Sequence, residues 1–376
     1  MKNKLIRLGI IIGGKSVEHE ISLISGLQSQ NNIDLTKYHT IIFYLDKNNH
    51  IYVDDAFKDI ETFKDQKKYQ QLIKNKEVFL KNENNQTYYI YYNRPKEKHI
   101  VDIFLPVVHG YGVEDGTISA YLDMYNAIYT QSDTIPSAII QDKVATKAML
   151  KLGNFPVLEG FVATSNEQIS IPSYPVIIKP AYLGSSIGIK VVKEKNKLQE
   201  AVDEAFLYSD KILIEKALTK FKEYNCAVIK DHNIIKTSVI EEINHKEDIL
   251  TYDEKYLESD GKLSEIKGRI IPANITKTLE SKIKELSKEV YEWFSLNGVV
   301  RIDFLYDEET SNIYINEINN IPGSLAFYLF EPLNISYKQL LDILITNAII
   351  SKQNKNQKIS TFNSNILNSK SIKLNK

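Results

Sequence analysis

The chain has little cysteine, almost no net charge and no long apolar runs. Its one cysteine, Cys226, allows no internal disulfide, which suits a reducing compartment such as the cytoplasm. The 47 Lys and Arg residues balance 48 Asp and Glu residues, so no charge excess indicates binding to nucleic acid or an anionic membrane. No segment approaches the roughly 20 apolar residues of a membrane span. The sequence predicts a cytoplasmic protein, in which any anionic ligand must be met by local cations.

The 376 residues, 43% hydrophobic and 25% charged, suffice for two or three globular domains. In the first third, short apolar runs alternate with helical stretches, which favours a parallel α/β sheet. We predict domains at 1–136, 137–217 and 218–351, then a frayed tail at 352–376. Strands are predicted at 8–12, 41–45, 100–108, 176–179, 187–192, 211–216, 226–229, 234–240, 298–306 and 313–318. Helices are predicted after Glu20 and Thr117, at 142–152, before Tyr208, and at 278–293 and 337–349. Segment 54–98 is predicted to be an elaboration with an antiparallel pair around 88–92.

Oxygen ligands follow two strand-like segments near the end of the chain. Asp303, Glu317 and Asn319 supply carboxylate and amide oxygens, which are the ligands that Mg²⁺ prefers. Glu317 and Asn319 are two residues apart, so they share one face of a strand, and Arg301 shares a face with Asp303. An acidic strand is commonly just a solvated edge, but the flanking isoleucines indicate burial. The pattern predicts a metal site that supports phosphoryl transfer.

A Gly/Ser turn, Gly184 to Gly188, lies between two predicted strands and follows Lys179 by five residues. Small residues let backbone N–H groups approach a phosphate, and a lysine adds a point charge. Such turns are more often plain hairpins, and this one is neither a Walker loop nor a dinucleotide fingerprint. On its own it leaves phosphate binding and a structural turn both open.

Two further segments follow predicted strands and precede helices. The first, GGKSVEHE from Gly13, could receive an amine at Glu18 or an anion at the helix start, but taken alone Glu18 and Glu20 more simply favour the start of a helix. In the second, HGYGVEDGT from His109, Glu114 and Asp115 could be doing no more than capping the following helix. Neither segment decides a function alone.

Eight collinear motifs together resemble the D-alanine–D-alanine ligase family of the ATP-grasp fold. They are GGKSVEHEISL, HGYGVEDGT, QDKVATK, IIKPAYLGSSIG, LIEKAL, DEKYL, RIDF and NEINNIPG, and the match covers residues 5–349. The resemblance implies a mixed α/β fold of three domains: an N-terminal parallel α/β substrate-binding domain, a small central ATP-grasp subdomain and a C-terminal α+β catalytic domain. It also implies that ATP phosphorylates the carboxylate of one D-alanine and that the amine of a second attacks the acyl phosphate. The product would be the dipeptide of peptidoglycan precursors.

The resemblance also implies a role for each matching residue. Glu18 would take the ammonium of the first D-alanine and connect through Ser185 to Tyr256, while Arg301 and the Gly323 N–H would stabilise the oxyanion. Two Mg²⁺ or Mn²⁺ ions would bind Asp303, Glu317 and Asn319. The residues implied to bind ATP are Lys143, Lys179, Gly184, Ser186, Gly188, Glu215, Lys216, Leu218, Glu223 and Lys255. His109, Tyr328 and Leu329 would contact the amino acids, and a homodimer is expected.

The chain departs from the family pattern in three places. Val113 stands where the family usually has glycine, and residues 249–251 read Ile-Leu-Thr where Phe-Tyr-Asp is usual. Tyr328 replaces a serine that binds the carboxylate of the second substrate. A hydroxyl remains, but the ring changes the pocket. Tyr256, where ester-forming relatives use histidine, favours an amino acid as second substrate. A ligase that joins D-alanine to another residue such as D-serine, and a non-catalytic nucleotide-binding module, remain the alternatives.

Overall fold

The computed structural model describes residues 4–165, 169–171, 173–243, 268–359 and 364. Its strands are β1 (Ile6–Gly13), β2 (Tyr38–Leu45), β3 (Ile51–Val53), β4 (Val78–Glu83), β5 (Gln86–Tyr91), β6 (His99–Val101), β7 (Ile103–Pro106), β8 (Gly160–Ala163), β9 (Val176–Pro180), β10 (Lys190–Val192), β11 (Ile212–Lys216), β12 (Phe221–Asp231), β13 (Ile234–Ile243), β14 (Arg269–Ile270), β15 (Val300–Asp307) and β16 (Ile313–Asn319). They form four sheets.

The α-helices are α1 (His19–Asn31), α2 (Glu61–Lys64), α3 (Gln66–Ile73), α4 (Thr117–Met124), α5 (Thr134–Gln141), α6 (Lys143–Leu152), α7 (Leu198–Phe206), α8 (Lys277–Trp293) and α9 (Tyr337–Asn356). Short 3₁₀ segments span Asp55–Lys58, Lys195–Lys197, Gly323–Leu329 and Glu331–Leu333. Side chains fix several helix starts: Asp142 accepts the Val144 and Ala145 N–H groups, and Ser336 forms a capping box with Gln339. None of the described helices is long and apolar enough to cross a membrane.

The first sheet has the order β3-β2-β1-β7, and β1 pairs in parallel with both β2 and β7. The parallel α/β arrangement predicted for the N-terminal region is therefore confirmed, with β3 added as an antiparallel edge strand. The antiparallel pair predicted in the elaboration is also present, as β4 and β5 of a three-stranded sheet with β6. Buried aliphatic and aromatic side chains of β1, β2 and β7 form the core beneath α1 and α9.

The second half of the chain contains two antiparallel sheets. One has the order β10-β9-β11-β8 and packs against α7, and the other has the order β14-β13-β12-β15-β16 and packs against α8. Cys226 lies in β12, fully buried in the core of this sheet, and burial raises the pKa of its thiol to about 11. These two sheets bring the Gly/Ser turn and the predicted metal ligands to opposite sides of one cleft.

Several predicted boundaries were wrong; the strand predicted at 226–229, for example, is β12, which begins at Phe221. The strand predicted at 100–108 is two strands, β6 and β7, in different sheets. They separate at Asp102, whose carboxylate accepts hydrogen bonds from the backbone and guanidinium of Arg7 at 2.6–2.8 Å. The strand predicted at 187–192 begins only at Lys190, because the preceding residues belong to the turn. The last helix runs on to Asn356. The predicted domain boundary at 136/137 falls inside α5, and the domain limits stay a prediction.

Candidate active site

A cavity of about 430 Å³ lies between the sheet that contains β9 and the sheet that contains β15 and β16. This volume falls within the roughly 300–1,000 Å³ typical of small-molecule sites. The predicted site residues that line it are Glu18, His109, Lys143, Lys179, Gly184, Ser185, Ser186, Lys216, Leu218, Glu223, Arg301, Asp303, Glu317, Asn319, Gly323 and Tyr328. Segments separated by hundreds of residues therefore converge on one cleft.

Three predicted residues do not line the cavity. Gly188 has a φ of +71°, and a Cβ there would lie 2.7 Å from the Tyr208 ring, so close packing and a left-handed backbone require glycine. The Leu329 side chain is fully buried in the core of the first sheet. Glu215 lies beneath the cavity floor. Lys255 and Tyr256, like segment 249–251, fall outside the described residues.

Glu215 fixes the position of Lys179. Its fully buried carboxylate lies 2.6 Å from Lys147 Nζ and 2.8 Å from Lys179 Nζ. Burial raises the pKa of Glu215, but the two ammonium groups outweigh that effect and hold it below its ordinary value. Lys179 also donates to Asn316 Oδ1 at 2.9 Å, so its charge is fixed at the edge of the cleft. Such a positioned ammonium suits a phosphate group.

The predicted metal ligands lie side by side on β15 and β16. Asp303 is directly opposite Glu317, and Arg301 is opposite Asn319. Arg301 donates through Nε and Nη2 to the two oxygens of Asp303 at 2.7 and 2.8 Å, and Asn319 Nδ2 donates to the same carboxylate at 2.9 Å. Lys143 Nζ lies 2.9 Å from Glu317 Oε1. The sequence predicted that Glu317 shares a face with Asn319 and Arg301 with Asp303, and the strand register places these two pairs opposite each other.

The oxygen-rich end fits a divalent cation. Burial, with the nearby Glu223 and Glu317 carboxylates, raises the pKa of Asp303 to about 6 against the opposing effect of Arg301. A bound cation would offset this unfavourable concentration of negative charge, and the carboxylate and amide oxygens are hard donors. The predicted ligands are two carboxylates, Asp303 and Glu317, and one amide, Asn319. Among the described residues, no cluster made of three or more His, Cys, Asp or Glu side chains could hold a metal ion.

Glu18 joins the N-terminal region to the Gly/Ser turn. Ser185, with a φ of +54°, donates a hydrogen bond to Glu18 Oε1. A Cβ on Gly184 would come within 3.2 Å of the same carboxylate, and one on Gly110 within 2.9 Å. Glycine therefore permits both loops to approach Glu18, and the cleft is closed on this side by direct contact.

Glu114 is a cavity residue that the sequence left open as a helix cap. The N-cap of α4 is Gly116, and Asp115 before it accepts the Thr117 N–H at 3.1 Å, whereas Glu114 lines the cavity. Burial, with the charge of Glu18, raises the pKa of Glu114 well above its ordinary value. Its Oε2 lies 4.0 Å from Nδ1 of His109, whose own pKa is lowered by burial. The sequence signal for Glu114 was its position between the end of a strand and the start of a helix.

Tyr328 enters the cavity after an unusual turn. Ser324, Leu325 and Ala326 all have φ near +50°, a left-handed conformation that costs roughly 1–2 kcal/mol per non-glycine residue. The Ser324 N–H donates to Ser25 Oγ of α1 at 3.2 Å, which ties this turn to the N-terminal sheet. Strain of this kind is concentrated at ligand sites.

Arg269, which no sequence pattern singled out, also lines the cavity. Its Nη1 lies 3.2 Å from the Tyr328 hydroxyl oxygen and 3.2 Å from Glu241 Oε1. The three residues come from β14, the 3₁₀ segment and β13, so only the folded sheet brings them together. A lone arginine outside any motif carries no signal that could have found it.

Comparisons with known proteins agree with this geometry. The family models described as D-ala D-ala ligase N-terminus and C-terminus match residues 7–132 and 151–346. The chain is 36% identical over 369 residues to a D-alanine–D-alanine ligase of Thermosipho melanesiensis, covering 96% of this chain and 98% of the relative. A D-alanine–D-alanine ligase of Thermosipho africanus is 34% identical over 375 residues, covering 97% and 99%.

Solved structures are similar over nearly the whole chain. The VanG D-Ala:D-Ser ligase from Enterococcus faecalis gives a TM-score of 0.75 at 26% identity, covering 92% of this chain and 100% of that one. A D-alanine-D-alanine ligase from Helicobacter pylori gives 0.70 at 27% identity, covering 91% and 98%. The predicted ATP-grasp fold class is confirmed.

Proposed function

The chain belongs to the D-alanine–D-alanine ligase family, and we propose that it is an ATP-dependent ligase that joins two D-alanine molecules for peptidoglycan precursors. The observation that carries the proposal is one cavity that contains fixed lysines, a facing pair of carboxylates and the Glu18–Ser185 contact. ATP would phosphorylate the first D-alanine, and the second would attack the D-alanyl phosphate, releasing ADP and phosphate.

Each end of the cavity would have its own task. Lys143 and Lys179 would hold the phosphates, with Lys216, Leu218 and Glu223 around the nucleoside and Gly184 and Ser186 above the phosphate chain. Gly188 and Glu215 would act by shaping the turn and holding Lys179. Lys255, outside the described residues, is proposed as a further phosphate contact.

The amino-acid end would use a different set of groups. Glu18 would accept the ammonium of the first D-alanine, with Ser185 and Tyr256 completing the chain of hydrogen bonds and His109 near its carboxylate. Arg301 and the Gly323 N–H would stabilise the oxyanion; a Cβ on Gly323 would meet nothing within 4 Å, so that backbone is accessible. Tyr328 would face the second amino acid, with Leu329 packed behind it.

The proposal includes two Mg²⁺ or Mn²⁺ ions held by Asp303, Glu317 and Asn319. Bound there, they would neutralise charge on the transferred phosphoryl group. It also includes a homodimer, implied by the family resemblance, and a cytoplasmic location, which the buried free Cys226 supports. Nucleic acid and membrane are not expected partners.

The test is the product that the purified protein forms from ATP, Mg²⁺ and D-alanine. We expect D-alanyl-D-alanine by mass, with one phosphate released per dipeptide. Phosphate release with D-serine but not with D-alanine would replace this function by that of a D-alanine–D-serine ligase. The changed second-substrate end at Tyr328 is the observation that favours that candidate. Absence of ATP consumption with every amino acid would favour a non-catalytic nucleotide-binding module instead.

A further inference from the structure

The second-substrate end of the cavity contains two guanidinium groups in different states. Arg301 is engaged by Asp303 through both Nε and Nη2. Arg269 contacts its described partners through Nη1 alone, with Tyr328 and Glu241 both at 3.2 Å. The two side chains are similarly exposed, at 19% for Arg269 and 21% for Arg301, but Arg269 makes no hydrogen bond through Nε or Nη2 to any of the described residues.

The Arg269–Tyr328 contact orients the phenol. A guanidinium can only donate, so the Tyr328 oxygen must accept from Nη1 and its own O–H must point elsewhere. No acceptor for that O–H lies among the described residues, and the hydroxyl belongs to a cavity-lining side chain. Burial raises the pKa of Tyr328, so the phenol keeps its proton. The pair therefore offers an N–H donor edge and an O–H donor to one ligand.

Glu241 holds the guanidinium in this position. Its fully buried carboxylate also accepts from Asn225 Nδ2 at 3.0 Å, so it is fixed on β13 from two sides. The Arg269 carbon Cζ lies 5.6 Å from the Tyr328 ring centroid, within the range of a cation–π contact. Arg269 is thus fixed before any ligand arrives.

We infer that Arg269 and the Tyr328 hydroxyl together bind the α-carboxylate of the acceptor amino acid, an inference that rests on the proposed function. Guanidinium and hydroxyl donors match a carboxylate, and arginine binds this group in a planar, two-point geometry. Arg269 is then a specificity-determining residue for an acceptor that carries a negative charge, and Glu241 is its positioning residue.

The experiment measures which acceptor is used, not only how fast. Equal concentrations of D-alanine and D-alaninamide are supplied with ATP and Mg²⁺, and the ratio of D-alanyl-D-alanine to D-alanyl-D-alaninamide is read by mass. Trapping of D-alanyl phosphate by hydroxylamine reports the first half-reaction separately. A wild-type protein that yields neither hydroxamate nor dipeptide would count against the proposed function itself.

For Arg269→Gln we expect hydroxamate formation to persist while the acid-to-amide ratio falls roughly tenfold to a hundredfold, the usual effect of losing a charged hydrogen bond. Lys222→Gln is the matched control, because it removes a cation on β12 that pairs with Glu242, the neighbour of Glu241 on β13, and it lies outside the cavity lining. Its product ratio should equal that of the wild type. An unchanged ratio in Arg269→Gln would overturn the inference.

A double variant separates binding from structure. Glu241→Gln with Arg269→Gln leaves no unpaired buried charge, so a purely structural pair would recover the wild-type ratio. We expect the ratio to stay low. Recovery would overturn the inference, and so would loss of hydroxamate in both variants with native circular dichroism, because Arg269 would then serve the first half-reaction.

Discussion

The two ends of the cavity are built on the same plan from different residues. At the proposed phosphate end, the buried Glu215 holds Lys147 and Lys179 at 2.6 and 2.8 Å; at the proposed acceptor end, the buried Glu241 holds Arg269 at 3.2 Å. In each, a carboxylate beneath the cavity fixes a cation at its surface. The phosphate end matches the family motifs, whereas the acceptor end departs from them at Tyr328. The two ends therefore differ in how closely they follow the family pattern.

The largest expected effect is at the phosphate end. Glu317→Gln removes one charge from the proposed metal site at nearly constant volume, so we expect turnover to fall by on the order of 10³-fold, or several kcal/mol of transition-state stabilisation. Hydroxamate formation should fall equally, since phosphoryl transfer precedes acceptor attack. Steady-state kinetics with and without hydroxylamine provide the measurement.

Glu309→Gln is the control for that variant. It changes an exposed residue in the turn between β15 and β16, away from the cavity lining. Its turnover should match the wild type. Near-normal hydroxamate formation in Glu317→Gln would contradict the proposal that Glu317 binds metal, and with it the proposed difference between the two ends of the cavity.

The next effect concerns stability. Glu215→Gln leaves two buried ammonium groups facing a neutral amide, so we expect the free energy of unfolding to fall by about 3–5 kcal/mol. Glu241→Gln should cost less, about 1–3 kcal/mol, because one longer ion pair is lost and Asn225 can still bond to the amide. Urea unfolding of both variants gives the comparison. Equal losses in the free energy of unfolding would contradict the difference between Glu215 and Glu241 that their ion-pair geometry indicates.

The sequence was informative where a motif is local and much less so where the fold assembles a site. Alternation along β16 predicted that Glu317 and Asn319 share a face, and the pairing of β15 with β16 then places Asp303 beside them. The division of 100–108 into two strands depends on a side-chain contact between Arg7 and Asp102, which no local pattern shows. Arg269 reaches Tyr328 only through the pairing of β13 with β14. Pairing between strands that are separated in the sequence therefore positions most of the residues at the proposed acceptor end.

The smallest effect should separate the ring of Tyr328 from its hydroxyl. Tyr328→Phe keeps the volume and removes the donor, so the KM for the acceptor should rise about tenfold while the preference for small side chains remains. Tyr328→Ser keeps a hydroxyl and opens space, so acceptors with larger side chains should gain about tenfold relative to D-alanine. Tyr337→Phe, whose hydroxyl meets Ser29 at 2.5 Å outside the cavity lining, is the control. If Tyr328→Ser leaves the profile over a panel of D-amino acids unchanged, Tyr328 does not shape the acceptor pocket, and the second substrate must be selected elsewhere in the cleft.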